Sequence, residues 1–127
     1  MPDDDVVGVL VVDDQVPFRS AAAAVVARTE GFVLAGEAET GEDAVRSVLR
    51  LRPGLVLLDV RLPDISGVEA AQRVVAARPG TVVLLCSTYH PDDLPAEVAT
   101  AAVAGYVQKA QLRPEILTRL RARSRRC

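Results

Sequence analysis

The sequence predicts an α/β fold, a doubly wound parallel sheet built as (βα)5. Three observations predict it. Short apolar runs recur at regular intervals along the 127 residues. These runs are continuous rather than alternating and rich in β-branched residues, the pattern of strands covered on both faces. The stretches between them carry helical spacing, so the chain reads as five βα repeats joined by right-handed crossovers. An antiparallel α+β arrangement fits less well, because the strands rarely alternate in polarity. The length fits one domain.

In chain order, the first strand is Val6–Val12 (VVGVLVV), and Phe32–Ala38 is a weaker candidate for the second. Leu55–Leu58 (LVLL) and Val82–Cys86 (VVLLC) are the third and fourth, and Tyr106–Val107 is a weaker candidate for the fifth. In the first helix Phe18, Ala21, Ala22 and Val25 follow i, i+3, i+4, i+7. Ala44, Val45, Val48 and Leu49 form the second stripe, opened by a cap at Thr40. Val68, Ala71 and Val75 form the third. The fourth helix falls between Pro91 and Ala104 and starts at about Leu94, because Pro95 would break a helix already under way. Leu112, Ile116 and Leu120 form the fifth, with Pro114 near its first turn. Pro53-Gly54 and Pro79-Gly80 mark turns just before the third and fourth strands.

Half of the residues are hydrophobic and a quarter charged, a globular balance rather than a disordered one. No apolar run approaches the ~18 residues of a bilayer span. The start, Met1-Pro2-Asp3-Asp4-Asp5, is acidic, unlike a secretory signal, so a cytoplasmic location is expected. Cys86 and Cys127 lie too far apart for a zinc knuckle or a disulfide framework. His90 is the single histidine, which leaves no multi-histidine metal site, and it reads as an exposed loop residue. Residues 1–112 carry 9 basic and 16 acidic side chains, whereas 113–127 carry 6 and 1. A nucleic-acid surface spread over the domain is therefore not expected. The division is a core over 1–112, then a last helix and basic tail over 113–127 that reads as the start of a linker.

One count stands apart. Of the 15 basic residues, 14 are Arg and the other is Lys109. A chain that otherwise uses Arg raises the question of whether position 109 needs an ammonium.

Open parallel sheets bind ligands beyond the carboxyl ends of their strands. The first strand ends in Asp13-Asp14, the third in Asp59 and the fourth in Ser87-Thr88, and Gln108-Lys109 follows the fifth. Taken singly, an aspartate pair can cap a helix, Asp59 can be a turn residue, and a lysine can be solvated. Their joint placement at successive strand ends is what carries information. Three close carboxylates repel unless a cation offsets them. All-oxygen ligands suit Mg²⁺ and argue against zinc. A cation, an ammonium and a hydroxyl around a remaining carboxylate suit a transferring phosphoryl group, with Asp59 as nucleophile. No phosphate-binding glycine loop accompanies them, so nucleotide binding is not indicated.

The motifs VLVVDDQ (9–15), LVLLDVRLPDISGVEA (55–70), VVLLCST (82–88) and GYVQK (105–109) resemble the receiver domain of two-component response regulators. The likeness covers essentially the whole chain, with 28 residues from Asp59 to Ser87 and 22 from Ser87 to Lys109. AGEAETGEDAV (35–45) is similar to the subfamily with LuxR-type helix-turn-helix output domains. The resemblance implies a flavodoxin-like sheet of order 2-1-3-4-5. It implies that Asp59 accepts the phosphoryl group and that Asp13, Asp14, Asp59 and the Arg61 carbonyl hold Mg²⁺, Asp13 largely through water. Ser87 and Lys109 would contact the phosphoryl group, and Ser87 and Tyr106 would form the switch. It also implies a sensor histidine kinase as donor, a possible homodimer, and DNA contact only through an output domain absent from these residues. No membrane partner is expected. The domain would be a switch rather than an enzyme, beyond its own phosphorylation and dephosphorylation. Pro95, and Ala102 where related sequences usually have Gly, imply a short or displaced fourth helix.

Two alternatives remain at this point. One is a stand-alone or non-phosphorylated interaction module. The other is a Mg²⁺-dependent phosphohydrolase working through an aspartyl phosphate, although such enzymes of the haloacid-dehalogenase type space their first two aspartates by one residue.

Overall fold

A computed structural model describes residues 6–90 and 103–124. The expected fourth helix, with Pro95 and Ala102, lies outside the described residues, as do both chain ends. Five strands run parallel in the order β2-β1-β3-β4-β5, where β1 is Val7–Val12, β2 Phe32–Ala38, β3 Leu55–Asp59, β4 Val82–Ser87 and β5 Gly105–Gln108. The helices are α1 (Val16–Ala27), α2 (Gly41–Leu51), α3 (Gly67–Ala77) and α4 (Pro114–Ser124), the last preceded by a 3-10 turn at Lys109–Gln111. The doubly wound sheet is as the sequence pattern predicts, and the order 2-1-3-4-5 is as the family resemblance implies.

The continuous apolar strands feed two cores. Val9 and Val11 of β1 face a layer with Phe18, Ala22, Val25 and Val26 of α1 and Leu117 and Leu120 of α4. Leu10 and Val12 face the other side, against Ala44 and Val48 of α2 and Val68, Ala71 and Val74 of α3. The edge strand β2 explains its weaker signal: Val33 and Leu34 are exposed, and its register against β1 slips between Val9 and Leu10.

Helix ends follow local chemistry. Thr40 caps α2 by accepting from the Asp43 N–H at 3.0 Å, and Pro114 opens α4, where a missing N–H costs nothing. Gly80 turns the chain into β4 with φ +96, a conformation side chains disfavour. Before β3 the left-handed residue is Arg52 rather than Gly54.

All four helical stripes shift from the expectation: α3 buries Val74 with Val75 half-buried, α4 buries Leu117 with Ile116 half-buried, and in α1 and α2 an expected residue is exposed. Ala21 is exposed, and α1 buries Val26 instead, giving 18, 22, 25, 26. Leu49 is exposed, and α2 buries Ser47 beside Ala44 and Val48. In these two cases a residue on the edge of the stripe, i+3 from Phe18 or i+4 from Val45, is indistinguishable from its centre in sequence. Among the described residues, no helix is long and apolar enough to cross a membrane.

Candidate functional site

The three strand ends carrying the acidic and hydroxyl residues share one local device. At each, a side-chain oxygen accepts from the backbone N–H two residues on, which turns the chain and aims the side chain. Asp13 Oδ1 accepts from Gln15 at 2.8 Å, Asp59 Oδ1 from Arg61 at 3.2 Å, and Ser87 Oγ from Tyr89 at 3.1 Å. The device leaves Asp59 Oδ2 to the site, where Lys109 meets it, and leaves the Ser87 hydroxyl proton to Tyr106.

The sheet order then brings these ends together. Asp14, Asp59, Arg61, Ser87 and Lys109 line one cavity of about 320 Å³, with Gln15, Thr88 and Tyr89 also on its wall. Asp13 stands behind it, fully buried. Lys109 Nζ lies 2.5 Å from Asp13 Oδ2 and 3.4 Å from Asp59 Oδ2. The first contact is short but poorly directed for a hydrogen bond, so it acts as an ion pair. The same ammonium sits 4.7 Å from the centroid of the Phe18 ring, a cation–π support from α1.

Carboxylate oxygens of Asp13, Asp14 and Asp59 all lie within 4.8 Å of one another. Burial, and then the Asp13 charge, raise the Asp59 carboxyl above its ordinary range, against the Arg61 N–H and Lys109. Burial alone would lower Lys109, but the Asp13 and Asp59 carboxylates outweigh it and hold its ammonium proton more tightly than usual. Three carboxylates and one ammonium leave a formal charge of −2, which a divalent cation would match. The donors are oxygens throughout. The nearby Cys86 thiol, pushed up to about 12 by burial, stays protonated and offers no thiolate. The residues therefore fit a hard cation such as Mg²⁺.

Tyr106 lies beside the cavity rather than on its wall. It packs against the α2–α3 side of the core, and its hydroxyl donates to the Tyr89 carbonyl. Burial raises its phenol, and a hydrogen bond from the Ser87 side chain acts the other way.

Sequence reasoning missed Phe18, Tyr89 and the Arg61 side chain. The Arg61 guanidinium stacks over the Tyr89 ring at 4.9 Å from its centroid, at the cavity wall. Their position two residues after Asp59 and Ser87 was the available signal.

Residues 9–121 match the family model of the response regulator receiver domain. The chain belongs to that family. It is 33% identical over 113 residues to the response regulator GacA of Pseudomonas aeruginosa, covering 89% of this chain and 53% of the relative. It is 29% identical to the response regulator UvrY of Escherichia coli, covering 91% and 53%. The receiver thus spans about half the length of these curated relatives. The response regulator domain of Thermotoga maritima CheB superposes with a TM-score of 0.82 at 22% identity, covering 94% of this chain and 97% of that one. A DNA-binding response regulator of the LuxR family from Staphylococcus aureus gives 0.80 at 19% identity, covering 94% and 99%. This receiver is therefore a response regulator domain of the two-component type, with a transcriptional regulatory protein, YxjL of Bacillus subtilis, among its relatives at 30% identity.

Proposed function

We propose that this receiver is a phosphorylation-dependent switch, with Asp59 accepting a phosphoryl group from a phosphohistidine on a sensor histidine kinase. The observation that carries the reading is the meeting of the Asp59 carboxylate, the Ser87 hydroxyl and the Lys109 ammonium at one cavity. An Asp59 oxygen attacks phosphorus, the P–N bond breaks, and its electron pair stays on the imidazole, which takes up a proton. Lys109 already stands 3.4 Å from Asp59 Oδ2 and meets the incoming phosphoryl oxygens as a compact point charge.

Asp14, Asp59 and the Arg61 carbonyl would hold Mg²⁺, which supplies charge neutralisation for the phosphoryl oxygens. Asp13, buried and already engaged by the Gln15 N–H and Lys109, fits a role through water. The Ser87 hydroxyl, which bonds toward Tyr106 in the present state, would re-aim at a phosphoryl oxygen. Tyr106 would lose that partner, and the β4 and β5 ends would favour a second arrangement. The biological role is that of a switch in the cytoplasm rather than a turnover enzyme. The name of one relative, the transcriptional regulatory protein YxjL of Bacillus subtilis, supports a transcriptional output through a DNA-binding domain outside these residues.

The test is incubation with Mg²⁺ and a small acyl phosphate, read by intact mass. One added phosphoryl group is expected on the wild type and none on Asp59→Asn. No gain in the wild type would overturn the reading, and steady turnover of phosphate esters would replace it with the phosphohydrolase.

A further inference from the structure

The loop after β3, residues 60–66, is tied down at its base and at its tip. At the base, the Gly67 N–H donates to the Val60 carbonyl at 2.7 Å, and Arg61 pairs with Ser66 in an antiparallel bridge. The tip is fastened to another element. Asp64 Oδ1 accepts from the Gly41 N–H and Oδ2 from the Glu42 N–H, each at 2.9 Å. These are the first two amides of α2. Next to Asp64, Ile65 packs so closely on α2 that a Cβ on Gly41 would stand 2.4 Å from its Cγ1.

Helix α2 does not need Asp64 as its own cap. Thr40 already serves the third amide, from Asp43. The carboxylate of Asp64 takes the two amides that Thr40 leaves free, with the positive end of the helix dipole favouring its charge. Desolvation pushes the Asp64 carboxyl up, but the Glu42 and Gly41 amides of α2, with those of Ile65 and Asp64 itself, together hold it below its ordinary value. The contact is thus between α2 and the loop that carries Arg61. The Arg61 N–H in turn sets the direction of Asp59 Oδ1.

We propose that Asp64 is a positioning residue for the cation site, holding the Arg61 backbone and the Asp59 carboxylate in place by anchoring the loop tip to α2. This rests on the reading of the acidic cluster as a Mg²⁺ site. With the tip released, residues 62–65 swing on the base, and the Arg61 carbonyl is no longer held at one place beside Asp59. Coupling is reciprocal, so cation binding must tighten the contact between Asp64 and α2.

The experiment is calorimetric titration of the intact chain with Mg²⁺, for wild type, Asp64→Ala, Asp64→Asn and Thr40→Ala, alongside thermal unfolding without metal. Asp64→Ala should weaken Mg²⁺ binding about 10-fold, the effect typical of lost outer-shell support. Asp64→Asn, which keeps one acceptor oxygen, should fall between, and it carries the comparison if the alanine variant does not fold. Thr40→Ala removes a cap of the same helix and should lower Tm while leaving the Mg²⁺ affinity unchanged. In the wild type, Mg²⁺ should slow hydrogen exchange at the Gly41 and Glu42 amides. If Asp64 variants bind Mg²⁺ like a wild type that does bind it, or if Thr40→Ala weakens binding equally, the positioning role is wrong and the metal reading stands. A wild type that binds no Mg²⁺ overturns both.

Discussion

The ammonium of Lys109 lies 2.5 Å from Oδ2 of Asp13, a carboxylate with no solvent exposure. A buried carboxylate at that distance needs its cation, and removing one partner of such a pair typically costs about 3–5 kcal/mol. The Phe18 ring on one side and Asp59 on another leave room for a compact ammonium and little for a planar guanidinium. Lys109→Arg keeps the charge, so it should retain phosphorylation at Asp59 yet impair the conformational response. Amide chemical shifts recorded before and after acyl phosphate check this: the phosphorylation-dependent changes around Ser87 and Tyr106 should fall to less than about half of the wild-type response. Full changes would make the lone lysine of this arginine-rich chain a coincidence.

Asp59 should weigh against the fold when no cation is bound. Its carboxyl is raised by burial and by Asp13, so folding favours the protonated form. Stability from this group is fully present below the unfolded value of about 3.9 and is lost as pH rises through the higher folded value. Asp59→Asn, neutral and isosteric, should therefore raise Tm at pH 7 in the absence of divalent cations, and gain less at pH 4. A lower Tm at pH 7 would contradict the electrostatic picture.

Asp64 should behave in the opposite sense. Desolvation raises its carboxyl, but the summed backbone amides, Glu42 and Gly41 first, outweigh it and lower the carboxyl. Its contribution is present above about pH 3.9 and is lost as pH falls through the lower folded value. Urea unfolding of wild type and Asp64→Asn should show the wild type more stable at pH 7, with the two curves converging in acid. A gap that widens on acidification would refute the assignment.

Gly67 should tolerate no side chain. A Cβ there would stand 2.2 Å from the carbonyl oxygen of Asp59 and 2.7 Å from Val60 Cα, both backbone atoms that cannot turn aside. Gly67→Ala should cost roughly 3 kcal/mol or more, at the upper end of overpacking effects. Chemical denaturation measures it, and a change below ~1 kcal/mol would mean that the β3–α3 junction is softer than its geometry implies.

Leu117 gives a control away from the site. It is fully buried in the layer shared with α1, so Leu117→Ala should cost roughly 2–5 kcal/mol, with Mg²⁺ affinity unchanged in the protein that remains folded.

The strand ends were legible because period and chemistry changed together: VLVV gives way to Asp13-Asp14, LVLL to Asp59, and VVLLC to Ser87. Thr40 and Pro114 were legible because caps and first-turn prolines act within a few residues. What escaped was tertiary. Asp64 carries no signal of its own in sequence, since its partners are backbone amides 22 and 23 residues upstream, which no side-chain pattern records. Phe18 reads as one more core residue of a helical stripe, because nothing local ties a ring in α1 to an ammonium after β5. Ala21 and Leu49 show the same limit from the other side, as apolarity marks a stripe but only packing decides its centre line.

The ion pairs of Lys109 also order events in time. Asp13 lies near the start of the chain, Asp59 near its middle, and Lys109 follows Asp59 by 50 residues. A nascent chain that has emerged only through β4 would hold Asp13 and Asp59 at the centre of its sheet without the ammonium that pairs with both. Docking of β5 brings that cation, so the last strand joins with an electrostatic reward the earlier strands lack. The cavity is thereby finished only when the sheet is, and an incompletely folded receiver would have no ammonium beside its acids.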